Sequence, residues 1–212
     1  MFSFFKKKKK SIKSTDKIWR SSEEKVRGLE FDIEAFLAAS QNVFLFYYFE
    51  DTKKTLVELL NQKGINFDEL ERANRGTKLI LVSAAEIKSS ARIVDTLRKL
   101  SDPNSSQFLF ANHYPKYYFE AEILEELIHL HDSVIECCFY VAMDEPLMRV
   151  FGSEGIVAIM DRLGYKEGEV IQHAMITKSI SRAQKKIDKN NTNELRANSQ
   201  EEWFQANLPS GV

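Results

Sequence analysis

Short apolar runs without polar interruption alternate along most of this chain with longer segments in which apolar residues recur every three or four positions. The runs are "VFLFYY" at 43–48, "TKLILVS" at 77–83, "QFLFA" at 107–111 and "SVIECCFYVA" at 133–142. Each has strand length and carries apolar side chains on both alternating sets, which predicts strands covered on both faces, as in a parallel sheet. Between them, Val26, Leu29, Ile33 and Phe36–Leu37 predict one amphipathic helix, and Leu56, Val57, Leu59 and Leu60 a second. Ile93, Val94, Leu97 and Leu100 predict a third, and Ile123, Leu124, Leu127 and Ile128 a fourth. Ser21 with Glu24 forms a capping pair ahead of the first helix. Asp51 or Thr52 is placed to cap the second, which Gly64 ends. Strands alternating with helices imply an α/β layer fold.

From residue 145 the pattern is helical throughout, with Gly164 ending one short helix. "MITKSISRAQKKI" sets Met175, Ile176, Ile180, Ala183 and Ile187 on one stripe, which must bury against the chain's own tail, a second copy or another protein. The tail is polar, with Trp203 and Phe204 as its large apolar anchors.

Composition narrows the class. Apolar residues at 43% and charged residues at 29% fit a soluble globular protein, and no apolar run is long enough to cross a bilayer. "MFSFFKKKKK" has its apolar part before its basic part, the reverse of a secretory leader, and the cysteines number two, so a cytoplasmic setting is expected. The net charge of −1 hides an asymmetry: residues 1–13 hold six lysines and no acid, and removing them leaves −7 on the remainder. An acidic body argues against a nucleic-acid surface. Residues 1–16 read as a disordered basic arm, because a lysine run repels itself and packs nothing. Phe2, Phe4 and Phe5 followed by Lys6, Lys7, Lys8, Lys9 and Lys10 suit an anionic membrane surface or, more simply, a solvated tail.

Candidate chemistry is sparse. Asn112, His113 and Tyr114 follow the third apolar run, near the sheet edge where α/β folds bind ligands, with Ser83 and Glu86 at the neighbouring strand end. They mark either a low-affinity crevice or a structural loop. His129, His131, Cys137 and Cys138 do not make a metal site, since helix positions two apart diverge and adjacent strand residues face opposite sides. No third group marks a cysteine–histidine nucleophile. No metal, cofactor or catalytic residue is expected.

The residues from Phe139 to Gly164 carry a resemblance. Phe139, Tyr140, Asp144, Glu145, Leu147, Met148, Phe151, Gly152, Ser153, Ile156 and the run Met160–Gly164 match a segment at the end of the second nucleotide-binding domain of SecA, the bacterial preprotein translocase ATPase. "IQHAMITKSISRAQKKI" is similar to the stretch that opens the family's scaffold helix, and "DKIWRSSEEKVRGLEFDIE" and "VFLFYYFEDTKKTLVELLNQKGI" are similar, less strongly, to its upstream part. The resemblance implies a RecA-like three-layer domain over 17–165 and a helical extension over 166–212. It also implies what has changed. No phosphate-cradling G-x-x-x-x-G-K-[ST] occurs in the 212 residues. Where the family has an arginine-rich run before its last strand, this chain has "AEILEELIHLHDS", which by counting back from Phe139 puts Glu125, Leu127 and Leu130 at the arginine positions. The family's other nucleotide-facing loop falls near "SAAEIKSS", without its glycines or arginine. The expectation is a non-catalytic, SecA-like interaction module, linked to protein export at the cytoplasmic membrane face, with proteins of the translocation machinery or a second copy as partners. Half of a split ATPase completed in trans, or a nucleotide or small-ligand sensor without turnover, are the alternatives.

Overall fold

The computed structural model describes residues 10–150, 152–153, 157 and 164–208. Six strands and eight helices alternate along them: β1 (Ser11–Trp19), α1 (Ser22–Ala38), β2 (Asn42–Tyr47), α2 (Glu50–Gln62), β3 (Asp68–Glu69), β4 (Leu79–Ser83), α3 (Ala84–Ile87), α4 (Ala91–Leu100), β5 (Ser106–Phe110), α5 (Tyr117–Ile128), β6 (Val134–Ala142), α6 (Pro146–Val150), α7 (Ala174–Asn190) and α8 (Gln200–Asn207). The strands form one sheet in the order β1-β6-β5-β2-β4-β3, every neighbouring pair parallel.

The four apolar runs are the four inner strands, β4, β2, β5 and β6. Because successive side chains point to opposite faces, β2 sends Phe44 and Phe46 to one side and Val43 and Leu45 to the other. The second side is closed by Leu29 and Ile33 of α1 and Leu56 and Leu60 of α2. The first is closed by Val94 and Leu97 of α4, Ile123 and Leu127 of α5, and the C-terminal Ile180, Ile187 and Trp203. A three-layer α/β architecture results. Ser21 caps α1 by accepting from the Glu24 amide, and the Glu24 carboxylate accepts from the Arg20 amide. Gly64 stops α2 at a φ of 64°, the left-handed region glycine enters without strain.

Several expectations are corrected. The disordered arm does not extend to residue 16: Ser11–Trp19 is an edge strand paired in parallel with β6. Its polar half points to water, and Lys13 reaches across to Glu136 at 3.1 Å, the kind of charged guard that keeps an edge from recruiting other chains. The N-cap of α2 is Phe49, with no side-chain cap, rather than Asp51 or Thr52. The stripe on α7 does not face a partner, since Ile180, Ala183 and Ile187 are buried within this chain and Ile176 is partly buried. Met175 alone of that set points away, at 70% exposure. Phe2, Phe4, Phe5 and Lys6–Lys9 lie outside the described residues, as does much of the segment that Gly164 follows.

Candidate functional site

In this class of fold the crevice outside the carboxyl ends of the strands is where ligands bind, and here the C-terminal extension occupies much of it. On leaving α7 the chain returns across β5 and β2. Gln184 donates to the Tyr114 carbonyl (2.8 Å), Lys116 donates to the Asn191 carbonyl (3.1 Å), and the Asp51 amide donates to the Asn198 carbonyl (3.0 Å). Gln200 then joins two elements, donating to the His113 carbonyl (3.0 Å) and accepting from the Leu147 amide (3.0 Å). Trp203, 1% exposed, donates its indole N–H to Glu194, which also accepts from the Tyr114 hydroxyl.

The contact at Asp51 bears directly on anion chemistry. A helix N-terminus after a parallel strand offers free amides to a phosphate. The first turn of α2 instead carries Glu50 and Asp51, and one of its amides is taken by the tail. The neighbouring strand end runs straight into the short α3.

Between tail and strand ends lies an open cavity of about 730 Å³. Tyr47, Phe49, Tyr114, Phe119 and Trp203 supply aromatic walls. Its charged lining residues are Glu50, Glu86, Glu194 and Arg196. Burial, then the nearby Glu71, Glu50 and Glu69 carboxylates, raise the Glu86 pKa against the opposing Lys53. Burial pushes the Tyr47 hydroxyl up to about 12.

Of the sequence candidates, Ser83, Glu86 and Tyr114 line this cavity, whereas Asn112 and His113 do not. Asn112 is buried and donates to the Thr52 hydroxyl at 3.4 Å. His113 is buried between two carboxylates: Nδ1 lies 2.9 Å from both oxygens of Glu120 and Nε2 lies 3.3 Å from Asp16. Its ring stacks on Phe139 at 4.3 Å. Burial disfavours the imidazolium, but Glu120 and Asp16 overcome it and push the His113 pKa up to about 10, so both ring nitrogens donate at neutral pH. Burial likewise works against the Asp16 carboxylate, and His113 outweighs it, holding the pKa below its ordinary value. The cluster ties β1 to the end of β5 and to α5 as a clasp.

Glu125 is also displaced from its expected place. It sits on the exposed side of α5, outside the cavity, while Leu127 and Leu130 are buried in the core. His131 bonds the Ser101 hydroxyl at 2.7 Å, and that hydroxyl donates to the Leu97 carbonyl. His173 caps α7, accepting from the Met175 amide at 3.2 Å. Among the described residues, no three His, Cys, Asp or Glu side chains gather at metal-binding spacing.

Residues the sequence reading missed are Glu50 and Glu194. Glu50 had a usable signal, since it follows a buried strand directly. Glu194 had none, because only the return of the tail brings it to the strand ends.

The all-parallel sheet, the helices on both faces and the position of the cavity define a RecA-like α/β domain. Comparison with known proteins then narrows the class. The chain is 29% identical over 189 residues to protein translocase subunit SecA 1 of Chlorobium chlorochromatii, covering 83% of this chain and 18% of that protein. A shorter segment is 64% identical over 53 residues to SecA of Christiangramia forsetii and 57% identical over 56 residues to SecA of Chlorobaculum tepidum. Those segments cover 25% and 26% of this chain and 5% of each relative. No family profile matches the chain. The protein is therefore related to SecA, and it spans less than a fifth of the length of these relatives.

Proposed function

We propose that this chain is a non-catalytic, SecA-related interaction module that works beside protein export. One observation carries the reading. The strand-end edge, where a nucleotide-handling domain of this class needs amides and cations, presents Glu50, Glu86 and Glu194 and is spanned by the chain's own tail. A triphosphate placed there meets like charge in a partly desolvated crevice. The absence of a phosphate-loop sequence in these 212 residues supports the same reading. The export link rests on the relatives, which are named as translocase subunits. The partners are proteins of the translocation apparatus. The basic arm, Phe2 to Lys10, adds affinity for an anionic leaflet, each lysine contributing about 1 kcal/mol near such a surface. No helix among the described residues is long and apolar enough to cross a membrane.

The test is ATP hydrolysis by the purified chain with Mg²⁺. No phosphate release is expected, and turnover above the no-protein background removes the proposal. Pull-down from native membranes with the chain as bait is expected to recover translocon components. Flotation with phosphatidylglycerol vesicles, with and without residues 1–13, tests the arm: equal flotation of both forms dismisses it.

A further inference from the structure

We propose that the strand-end cavity binds a basic side chain, the guanidinium or ammonium group of an arginine or lysine in a partner polypeptide. This rests on the interaction-module reading and names what the site would hold.

Two independent features point to a cation. The first is charge. Glu50, Glu86 and Glu194 face the cavity against the single Arg196. Glu194 is engaged, by Tyr114, Trp203 and a 3.7 Å approach of Lys116. No ion pair holds Glu50 or Glu86 among the described residues, and both are exposed to the open mouth. The second is how the rings are already used. The Lys53 ammonium stands 5.8 Å from the Tyr47 ring centre, and that of Lys88 stands 4.6 Å from the Phe119 ring centre. Two walls of the cavity thus attract ammonium groups from the chain itself, as the negative face of an aromatic ring does. Both lysines are ion-paired elsewhere, Lys53 to Glu69 and Lys88 to Glu122, so Lys53 offsets the charge of Glu50 and Glu86 only through space and neither lysine forms an ion pair with them. Tyr48, whose buried hydroxyl has no hydrogen-bond partner, belongs to the same wall.

Size and shape favour a side chain on a polypeptide over a bare ion. The cavity, about 730 Å³, is far larger than one cation needs. Three exposed residues of the tail, Glu194, Leu195 and Arg196, line it and leave it open to a polypeptide side chain. Carboxylates and rings together recognise a planar guanidinium well, since it can donate a pair of charge-assisted hydrogen bonds from its edge and stack through its face.

The experiment is calorimetric titration of the full chain with a tri-arginine peptide amide, with free arginine amide and ADP as further arms. Saturable peptide binding is expected, weaker binding of arginine amide and no heat with ADP. In the double variant Glu50→Gln/Glu86→Gln the peptide Kd is expected to rise about tenfold or more, the scale of losing charge-assisted contacts. The control Glu125→Gln/Glu126→Gln removes two exposed carboxylates from α5, outside the cavity, and is expected to leave Kd within about twofold. All four substituted groups are solvent-exposed, and far-UV circular dichroism checks that each variant is folded. No saturable binding, an equal loss in both double variants, or no loss at Glu50 and Glu86 overturns the inference. So does ADP heat that the peptide competes away. ATP turnover would remove the proposed function while leaving this measurement standing. Absence of peptide binding without turnover would remove only the present inference.

Discussion

The two faces of the sheet are built from the same strands and differ in nearly everything else. One face is chiefly aliphatic, with Val43, Leu45, Leu79, Leu81 and Leu109 under α1 and α2. The other is aromatic, with Phe46, Phe110 and Phe139 stacked at 4.6 and 4.5 Å between ring centres. Each face also holds an ionic group at β1. On the aliphatic side Lys17 meets Asp32 at 2.6 Å, and the Tyr140 hydroxyl donates to the same carboxylate at 2.5 Å. On the aromatic side His113 sits between Asp16 and Glu120. The aliphatic face is closed by helices that adjoin its strands in sequence. The aromatic face is closed only when residues 171–208 return to it. One face is therefore complete from local elements, and the other depends on contacts made at long range.

The largest effect expected from disturbing that difference is at Trp203. Trp203→Ala should cost about 3–5 kcal/mol in urea denaturation, as truncation of a buried tryptophan does. Amide exchange should accelerate across 191–207 while α1 amides keep their protection. Equal loosening of α1 would show that the faces unfold as one unit. Next is the His113 clasp: Glu120→Gln should cost about 3–5 kcal/mol, because it leaves a buried imidazolium with one partner instead of two. The pH dependence has a definite sign. The His113 pKa is raised from 6.5 to about 10, so its stabilisation is complete below pH 6.5 and is lost as pH rises through about 10. Asp16, held low, acts oppositely: its contribution is present above its ordinary value of 3.8 and is lost on acidification. Denaturation midpoints of the wild type should fall between pH 6.5 and 10 more steeply than those of His113→Gln.

A smaller effect belongs to the aliphatic face. A Cβ at Gly28 would come 2.3 Å from the Trp19 ring, which stacks on Tyr140 at 5.6 Å. Gly28→Ala should destabilise by about 1–3 kcal/mol through overpacking. That outweighs a helix-propensity gain of about 1 kcal/mol. Thermal melting and near-UV circular dichroism of Trp19 check it. The smallest change is expected at the open edge, where Lys13→Ala should alter stability by no more than about 0.5 kcal/mol. Light scattering should show increased self-association, because the β1 edge loses a guard.

The four inner strands were legible because most of their residues are buried and apolar on both faces, which leaves few polar positions to confuse the reading. β1 was not. An edge strand has one neighbour and one wet side, so its Lys13, Ser14 and Thr15 look like disordered tail until Cys137 and Cys138 are seen alongside. The α7 stripe was read correctly as apolar, yet its spacing says nothing about what covers it. Counting back from Phe139 placed Glu125 at the crevice, but a count along the chain ignores which side of a helix a residue occupies. Ser83 and Glu86 were found because the rule that placed them concerns strand ends, a topological feature that survives without coordinates.

Residue order alone sets the alternation of strands and helices, the Ser21 cap, the Gly64 stop and the kinship with SecA. These follow from burial periodicity and backbone chemistry, which act within a few residues and are written in linear order. What fills the strand-end edge required the folded chain. Glu194 joins Glu50 and Glu86 there because the tail crosses β5 and β2 and is pinned by Gln184, Asn198 and Gln200. Each of those bonds joins residues at least 70 positions apart, and no spacing pattern encodes such a meeting.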